Sequence, residues 1–126
     1  MKDNIVRDKS FTNARAFAFA LRVVKLAKFL QEEKREFVLS KQGLRSGTAI
    51  GALIREAEHA ESNPDFAHKM NIALKEANEK LYWLDLLHQS GYVADRDFES
   101  IREDSEELVK LLVSIVKTTK AAIHAQ

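Results

Sequence analysis

The shortage of chain breakers is the feature that most constrains what this chain can fold into. One proline and four glycines occur in 126 residues, and three of the glycines, Gly43, Gly47 and Gly51, recur at intervals of four. Sheets and hairpins need frequent turn residues, whereas long helices need few. The sequence therefore predicts an all-α fold.

Apolar residues recur at spacings of three, four and seven in four successive segments, as one face of a helix requires. The first helix is predicted over about residues 12–32, with Phe19, Val23, Leu26, Ala27 and Leu30 inward. The second carries Leu39, Gln42, Ser46, Ile50, Leu53, Ala57 and Ala60 on one face, and the third Phe66, Met70, Ala73, Ala77, Leu81, Leu84 and His88. The fourth is predicted over about 96–124, with Ile101, Ser105, Leu108, Leu112, Ile115, Val116, Thr119 and Ile123 inward.

Residues that start and stop helices divide the segments. Asn63 followed by Pro64 is typical of a helix start, Gly91 of a helix end, and Asp95 can cap the fourth helix. The third helix is thus predicted over about 64–89, with loops near 33–36, 61–63 and 90–95. Short loops favour antiparallel neighbours, so we expect one domain over residues 1–126, an antiparallel up-down four-helix bundle.

The glycine repeat lies inside the second helical segment rather than in a loop. Each glycine there costs about 1 kcal/mol relative to alanine, which implies a compensating contact. The spacing matches neither a phosphate-binding P-loop nor a dinucleotide fingerprint, and Arg45 and Arg55 disfavour a membrane dimer. We therefore expect Gly43, Gly47 and Gly51 to permit close packing of a neighbouring helix, with close approach by a ligand as the alternative.

Three runs, taken in order, resemble one family. They are QGLRSGTAIGALIREA from Gln42 to Ala57, the pair Asp65-Phe66, and IALKEANEKLYWLDLL from Ile72 to Leu87. Together they are similar to the bacterial four helix bundle protein family, first noticed as reading frames in intervening sequences of large-subunit ribosomal RNA genes. The resemblance extends from the Lys9-Ser10-Phe11 start through the Glu106-Glu107-Leu108 segment, which is nearly the whole chain.

The family resemblance carries expectations about assembly and partners. The family is similar to the accessory protein of diversity-generating retroelements, a pentameric bundle that associates with a reverse transcriptase and nucleic acid. That relative is strongly basic, whereas this chain has a net charge of only +1, so the ring assembly transfers more readily than nucleic-acid binding. Ala49 and Leu53 stand where the family usually has serine and asparagine, so the role of that asparagine is not carried over.

The first helix has a second apolar stripe, Phe17, Leu21 and Val24, too far around the helix for one core to cover both. Ile72 and Trp83 lie off the main stripe of the third helix in the same way. A helix that is apolar on two faces indicates two neighbours, so these five residues are predicted to form a homo-oligomer interface. A pentamer is the oligomer that the family resemblance implies. A wide core face is the alternative.

Four cations, Arg15, Arg22, Lys25 and Lys28, lie on the first helix with no acidic residue between Thr12 and Gln31. Repeated around a ring, they predict weak, salt-sensitive RNA binding by an oligomeric accessory factor. Two alternatives stay open: a simple solvated face, and a protein-protein scaffold without nucleic-acid contact. A continuous basic surface around the oligomer would favour RNA binding. Scattered cations that each lie beside an acid would favour the scaffold.

No pattern indicates catalysis or a bound metal. The chain has no cysteine, Ser46 and Thr48 have no histidine in helical phase, and the Glu56-x-x-His59 pair points away from the core stripe. The pairs Asp65/His68 and Asp85/His88 are weaker matches to a di-iron pattern. The rings of Tyr82 and Trp83 are expected to pack within the bundle, with stacking on bases as the alternative. We predict a cytoplasmic protein that is not an enzyme, with no cofactor, no metal and no membrane segment.

Overall fold

Four helices make up the described part of the chain. The computed structural model describes residues 2–125, with side chains from residue 10 onward. The helices are α1 (Lys2–Glu33), α2 (Leu39–Ala57), α3 (Asn63–Gln89) and α4 (Asp95–His124), and no strand occurs in that range. α1 begins ten residues before the predicted start at residue 12, because the prediction counted only apolar periodicity and residues 2–10 contain just two apolar residues, Ile5 and Val6.

The helices form an antiparallel bundle in chain order. α1 packs against α2 and α4, and α3 packs against the same two helices, while the diagonal pairs make no contact in the described residues. Short loops over 34–38, 58–62 and 90–94 join consecutive helices, so that neighbours run in opposite directions. The predicted all-α four-helix bundle is confirmed.

The core faces of α1 and α4 match the prediction, whereas those of α2 and α3 are displaced. In α2 the predicted Ser46, Ile50 and Ala57 are buried. Ile54 is buried in place of Leu53, which is only partly buried against the core, and Gln42 is exposed. α2 also ends at Ala57, so Ala60 lies in the following loop. In α3 the predicted face is buried as far as Ala77 and again at Leu84. Lys80 and Leu87 are buried in place of Leu81 and His88, because a lysine occupies the inward position.

Two predicted helix caps are wrong by one residue. Ser62 caps α3, its hydroxyl accepting the Asp65 amide at 3.2 Å, and Asn63 is the first helical residue. Ala94 precedes α4 without a side-chain cap, and Asp95 instead meets His88 at 2.6 Å. Short polar side chains suit several positions in a first turn, so neighbouring candidates compete.

Glu36 organises the start of α2 from two residues before it. Its buried carboxylate accepts the amides of Val38, Leu39 and Ser40 at 3.3, 3.0 and 2.7 Å. Burial raises the pKa of the Glu36 carboxyl, but these amide hydrogen bonds outweigh burial and hold the pKa below its ordinary value. Arg35, at φ 54°, turns the chain so that Glu36 faces the helix start.

The three glycines of α2 face three different surroundings. A Cβ on Gly47 would lie 2.8 Å from both γ-methyls of Val23 on α1, closer than carbon atoms pack. A Cβ on Gly51 would lie 3.8 Å from Ala16, an ordinary contact. A Cβ on Gly43 would lie 2.8 Å from the Nζ of Lys80 on α3. The repeat thus faces α1 at two positions and α3 at one.

Lys80 is buried in the bundle, with only 2% of its surface exposed. Its ammonium group makes no hydrogen bond or ion pair with any residue that the structure describes. Burial lowers the pKa of the Lys80 amine to about 8, since an apolar surrounding disfavours the charged form.

None of the described helices is long and apolar enough to cross a membrane.

Candidate functional site

Of the four predicted cations of α1, the two arginines are paired with acids of α4 and the two lysines are not. Arg15 forms an ion pair with Glu107 on α4. Arg22 reaches Asp104 at 2.6 Å and also donates to the carbonyl and hydroxyl of Ser100. Both arginines therefore tie α1 to α4, and each lies beside an acid.

Lys25 and Lys28 are exposed and have no ion pair within the described residues. Lys34 follows in the loop after α1, with its Nζ 5.9 Å from the centre of the Phe29 ring, and is unpaired among the same residues. That ring is 42% exposed. We call Lys25, Lys28, Lys34 and Phe29 the basic surface. It lies closer to the end of α1 than the sequence predicted, and the exposed Glu32 and Glu33 adjoin it.

A pocket of about 480 Å³ opens beside the basic surface, between α1, the α3–α4 loop and the start of α4. We call it the corner pocket. It is lined by Arg22, Lys25, Leu26, Phe29, Lys34, Gly91, Tyr92, Val93, Ala94, Asp97 and Ile101. Three cations and one acid share this lining with two aromatic rings. Two of the four predicted cations therefore meet at one concave site.

The α3–α4 loop has a defined geometry at the pocket. Gly91, at φ 87°, lies just past α3. Its amide donates to the backbone carbonyl of His88 at 3.1 Å, and the Tyr92 amide donates to the backbone carbonyl of Leu87 at 3.0 Å. This is the Schellman arrangement, in which a left-handed glycine ends a helix, and it confirms the predicted stop at Gly91. The His88 ring also stacks on Phe98 at 3.9 Å, joining α3 to α4.

The second stripe of α1 is exposed in the monomer. Phe17, Leu21 and Val24 have 53%, 52% and 38% of their surface exposed, and we call them the apolar row. Ile72 and Trp83 belong to α3, which lies diagonally opposite α1 and makes no contact with it in the described residues. Both are partly buried, and the buried Trp83 indole nitrogen has no acceptor among the described residues. The structure therefore places the five predicted residues on two separate surfaces.

The other candidate residues are dispersed. The hydroxyls of Ser46 and Thr48 donate to backbone carbonyls of their own helix, those of Gly43 and Leu44. Glu56 and His59 are both exposed, and no group of three metal-binding side chains gathers within residues 2–125. Tyr82 contacts Trp83 edge to face, with ring centres 5.1 Å apart.

Comparison with known proteins identifies a family that this chain matches over most of its length. Residues 10–114 match the family described as 23S rRNA-intervening sequence protein. The chain belongs to this family. No curated protein matches it.

One solved relative shares the fold of this family member closely. It is a protein of unknown function from the S23 ribosomal protein family of Bacteroides thetaiotaomicron, 55% identical, with a TM-score of 0.86. The alignment covers 87% of this chain and 98% of that chain. The family and the bundle are thus shown by sequence and structure, while the relative's function is unknown.

Sequence reasoning missed Phe29, Lys34 and Tyr92 in this family member. Phe29 was absent from both predicted stripes of α1, yet it follows Lys25 by four residues, which is one turn of the same face. An aromatic residue at that spacing from a lysine was a usable signal. Lys34 and Tyr92 lie in loops, where helical periodicity carries no information.

Proposed function

We propose that this protein is a non-enzymatic, self-associating bundle that binds RNA weakly as an accessory factor. The observation that carries the proposal is the basic surface, where three unpaired lysines lie near the end of α1 together with the exposed ring of Phe29. Lysines without an acidic partner are free to neutralise phosphates, and an exposed ring offers a stacking face to any base. The family name, 23S rRNA-intervening sequence protein, associates the family with ribosomal RNA genes and makes RNA the nucleic acid to test first.

The surface proposed to hold RNA differs from the one that the sequence predicted. Arg15 and Arg22 are engaged with Glu107 and Asp104, so they contribute less net field than free cations. The proposal therefore assigns the RNA contact to Lys25, Lys28 and Lys34, with Arg22 beside them in the corner pocket. A small set of cations with exposed acids nearby accounts for weak rather than tight binding.

Self-association is the second part of the proposal, and the apolar row supports it. Exposed apolar side chains at helical spacing are typical of a surface that a partner covers. The apolar row on α1 and the partly exposed Ile72 and Trp83 on α3 lie on opposite corners of the bundle. Two different surfaces that meet head to tail generate a closed ring when the rotation between subunits closes, and a pentamer is the ring that the family resemblance implies.

A protein-protein scaffold is the second candidate function. The pairing of Arg15 and Arg22 with acids of α4 favours it, because cations that lie beside acids serve to hold helices together. The two functions differ in one property that is simple to measure. Only the RNA-binding function requires the free lysines.

The test measures fluorescence anisotropy of a labelled, mixed-sequence single-stranded RNA at low salt. The double variant Lys25→Glu with Lys28→Glu should weaken binding by about tenfold or more, because two phosphate contacts become repulsive. The matched control is Lys117→Glu with Lys120→Glu, two exposed lysines near the far end of α4 that make the same change in net charge. Equal losses for both pairs, or no binding by the unmodified protein, would leave the scaffold as the better function.

A further inference from the structure

The corner pocket combines an apolar interior with a charged rim. Leu26, Val93 and Ile101 line it from the core side, with Val93 and Ile101 buried. The rings of Phe29 and Tyr92 line it as well. A volume of about 480 Å³ lies in the range typical of small-molecule sites. The interior therefore suits a flat, largely apolar group.

The rim adds charge of mainly one sign. Lys25 and Lys34 have no acidic partner within residues 10–125, whereas Arg22 is held by Asp104. Asp97 is the single acid of the lining. The net field therefore attracts an anion, but a carboxylate on the same rim repels a bare anion placed against it. A ligand that fits carries a negative group, a flat ring and hydrogen-bond donors.

We propose that the corner pocket binds one nucleotide unit. The base lies between Phe29 and Tyr92, the phosphate lies toward Lys25 and Lys34, and Asp97 accepts a hydrogen bond from a ribose hydroxyl. Each part of the ligand then contacts one feature of the lining: the base contacts the rings, the phosphate the free cations and the ribose the lone acid. Stacking and charge tolerate every base, so little base preference is expected. This inference deepens the proposed function by naming the unit of RNA that the site takes.

The same unit has two sources, a free nucleotide and a nucleotide within an RNA strand. Both offer one base, one ribose and one phosphate to the pocket. A nucleotide within a strand also brings its neighbours, whose phosphates extend toward Lys28 outside the pocket. The strand is therefore expected to bind more tightly than the free nucleotide and to compete with it.

The experiment follows backbone amide signals by NMR during titration with AMP, adenosine, ribose 5-phosphate or inorganic phosphate. AMP at millimolar concentration should shift the amides of Gly91, Tyr92 and Val93 in a saturable manner. Adenosine lacks the phosphate and ribose 5-phosphate lacks the base, so each should bind about tenfold more weakly than AMP. If inorganic phosphate binds as well as AMP, or adenosine does, the nucleotide assignment is wrong.

Two variants probe the site itself. Phe29→Ala removes the stacking ring and Lys25→Ala a phosphate contact, and each should weaken AMP binding about tenfold. Lys117→Ala is the control for charge, since it lies outside the pocket. Phe29 is partly exposed, so its replacement should leave the helix content measured by circular dichroism unchanged.

RNA titrations separate this inference from the proposed function. Competition between AMP and RNA for the pocket amides supports both, and AMP binding without RNA binding supports the pocket with a free nucleotide as its source. RNA binding that shifts the pocket amides and depends on Phe29 supports the strand as the source, even without measurable AMP binding. RNA binding that leaves these amides unmoved and tolerates Phe29→Ala overturns the pocket and keeps the proposed function. Binding of neither overturns both.

Discussion

The charged amine of Lys80 is unfavourable in the folded state, because the bundle buries it without an acidic partner among the described residues. It points into the bundle from α3, is almost fully buried, and takes the space that a side chain on Gly43 would need. Burial lowers the pKa of its amine to about 8, from an ordinary value of 10.5. Each pKa unit corresponds to about 1.4 kcal/mol, so the charged amine costs the folded state roughly 3 kcal/mol below pH 8.

The sign of the resulting pH dependence follows from proton uptake. Between pH 8 and 10.5 the folded chain has released the Lys80 proton and the unfolded chain still holds it. The free energy of unfolding therefore rises with pH across this window. Lys80→Met, which keeps the aliphatic length without the charge, should stabilise the fold by about 1–3 kcal/mol at pH 7 and by less at pH 10.

Urea unfolding at both pH values measures this effect. Lys75→Met is the control, an exposed lysine on the same helix, and should change stability by no more than about 0.5 kcal/mol. A Lys80→Met variant that is less stable at pH 7 would show that Lys80 serves the fold in its charged form. An advantage that is the same at both pH values would show that the fold does not lower the pKa of this amine.

Lys80 also explains where the sequence misled the prediction of α3. The pattern of Phe66, Met70, Ala73 and Ala77 continues three residues on at Lys80, but a lysine is rarely assigned to a core, so the predicted face moved to Leu81. In α2 the glycines have no side chain to mark their direction, and the predicted face likewise missed Ile54. The sequence alone did not show that Gly43 on α2 leaves the space that the Lys80 side chain fills.

At the scale of the helix, α2 shows that one repeated residue type can have unequal consequences. Gly47→Ala should destabilise the bundle by about 1–3 kcal/mol, because the new methyl meets both γ-methyls of Val23 on α1. Gly51→Ala should stabilise it by about 0.5–1 kcal/mol, since the site has room and alanine favours helix. Thermal and denaturant unfolding compare the two variants under the same conditions.

The double variant Val23→Ala with Gly47→Ala supplies the control for the contact. With the γ-methyls removed, the alanine at position 47 should cost less than it does alone, giving a measurable coupling between the two sites. Equal effects of Gly47→Ala and Gly51→Ala would mean that helix propensity, and not the contact with α1, governs both glycines.

The helices themselves were largely predictable, and the site was not. Pro64 indicates a helix start and Gly91 a helix end from local sequence alone, so the predicted limits of α3 agree with the structure to within one residue. The corner pocket joins the end of α1 to the α3–α4 loop, which are distant in sequence. Helical periodicity predicts which face is buried but contains no information about which loop residues meet another helix. Lys25 and Arg22 were therefore identified as cations, while their shared pocket was missed.

At the scale of the whole molecule, self-association should depend on the apolar row. Leu21→Glu with Val24→Glu places two charges on a surface that the proposed ring buries, and an unpaired buried charge is strongly unfavourable. Sedimentation equilibrium should show an oligomer for the unmodified protein and a monomer for the variant, with helix content unchanged. Arg102→Glu on α4 is an exposed control outside the row. A monomeric unmodified protein at micromolar concentration would contradict the ring.

RNA binding measured as a function of salt tests the proposed function most directly. Each phosphate contact on a single strand contributes about −0.7 to the slope of log affinity against log salt concentration. The unmodified protein should bind single-stranded RNA with a clearly negative slope, and the Lys25→Glu, Lys28→Glu variant should bind weakly with a slope nearer zero. The Lys117→Glu, Lys120→Glu control should keep both the affinity and the slope. An affinity that does not change with salt, or a slope that is unchanged when the two lysines of the basic surface are reversed, would contradict RNA binding at this surface.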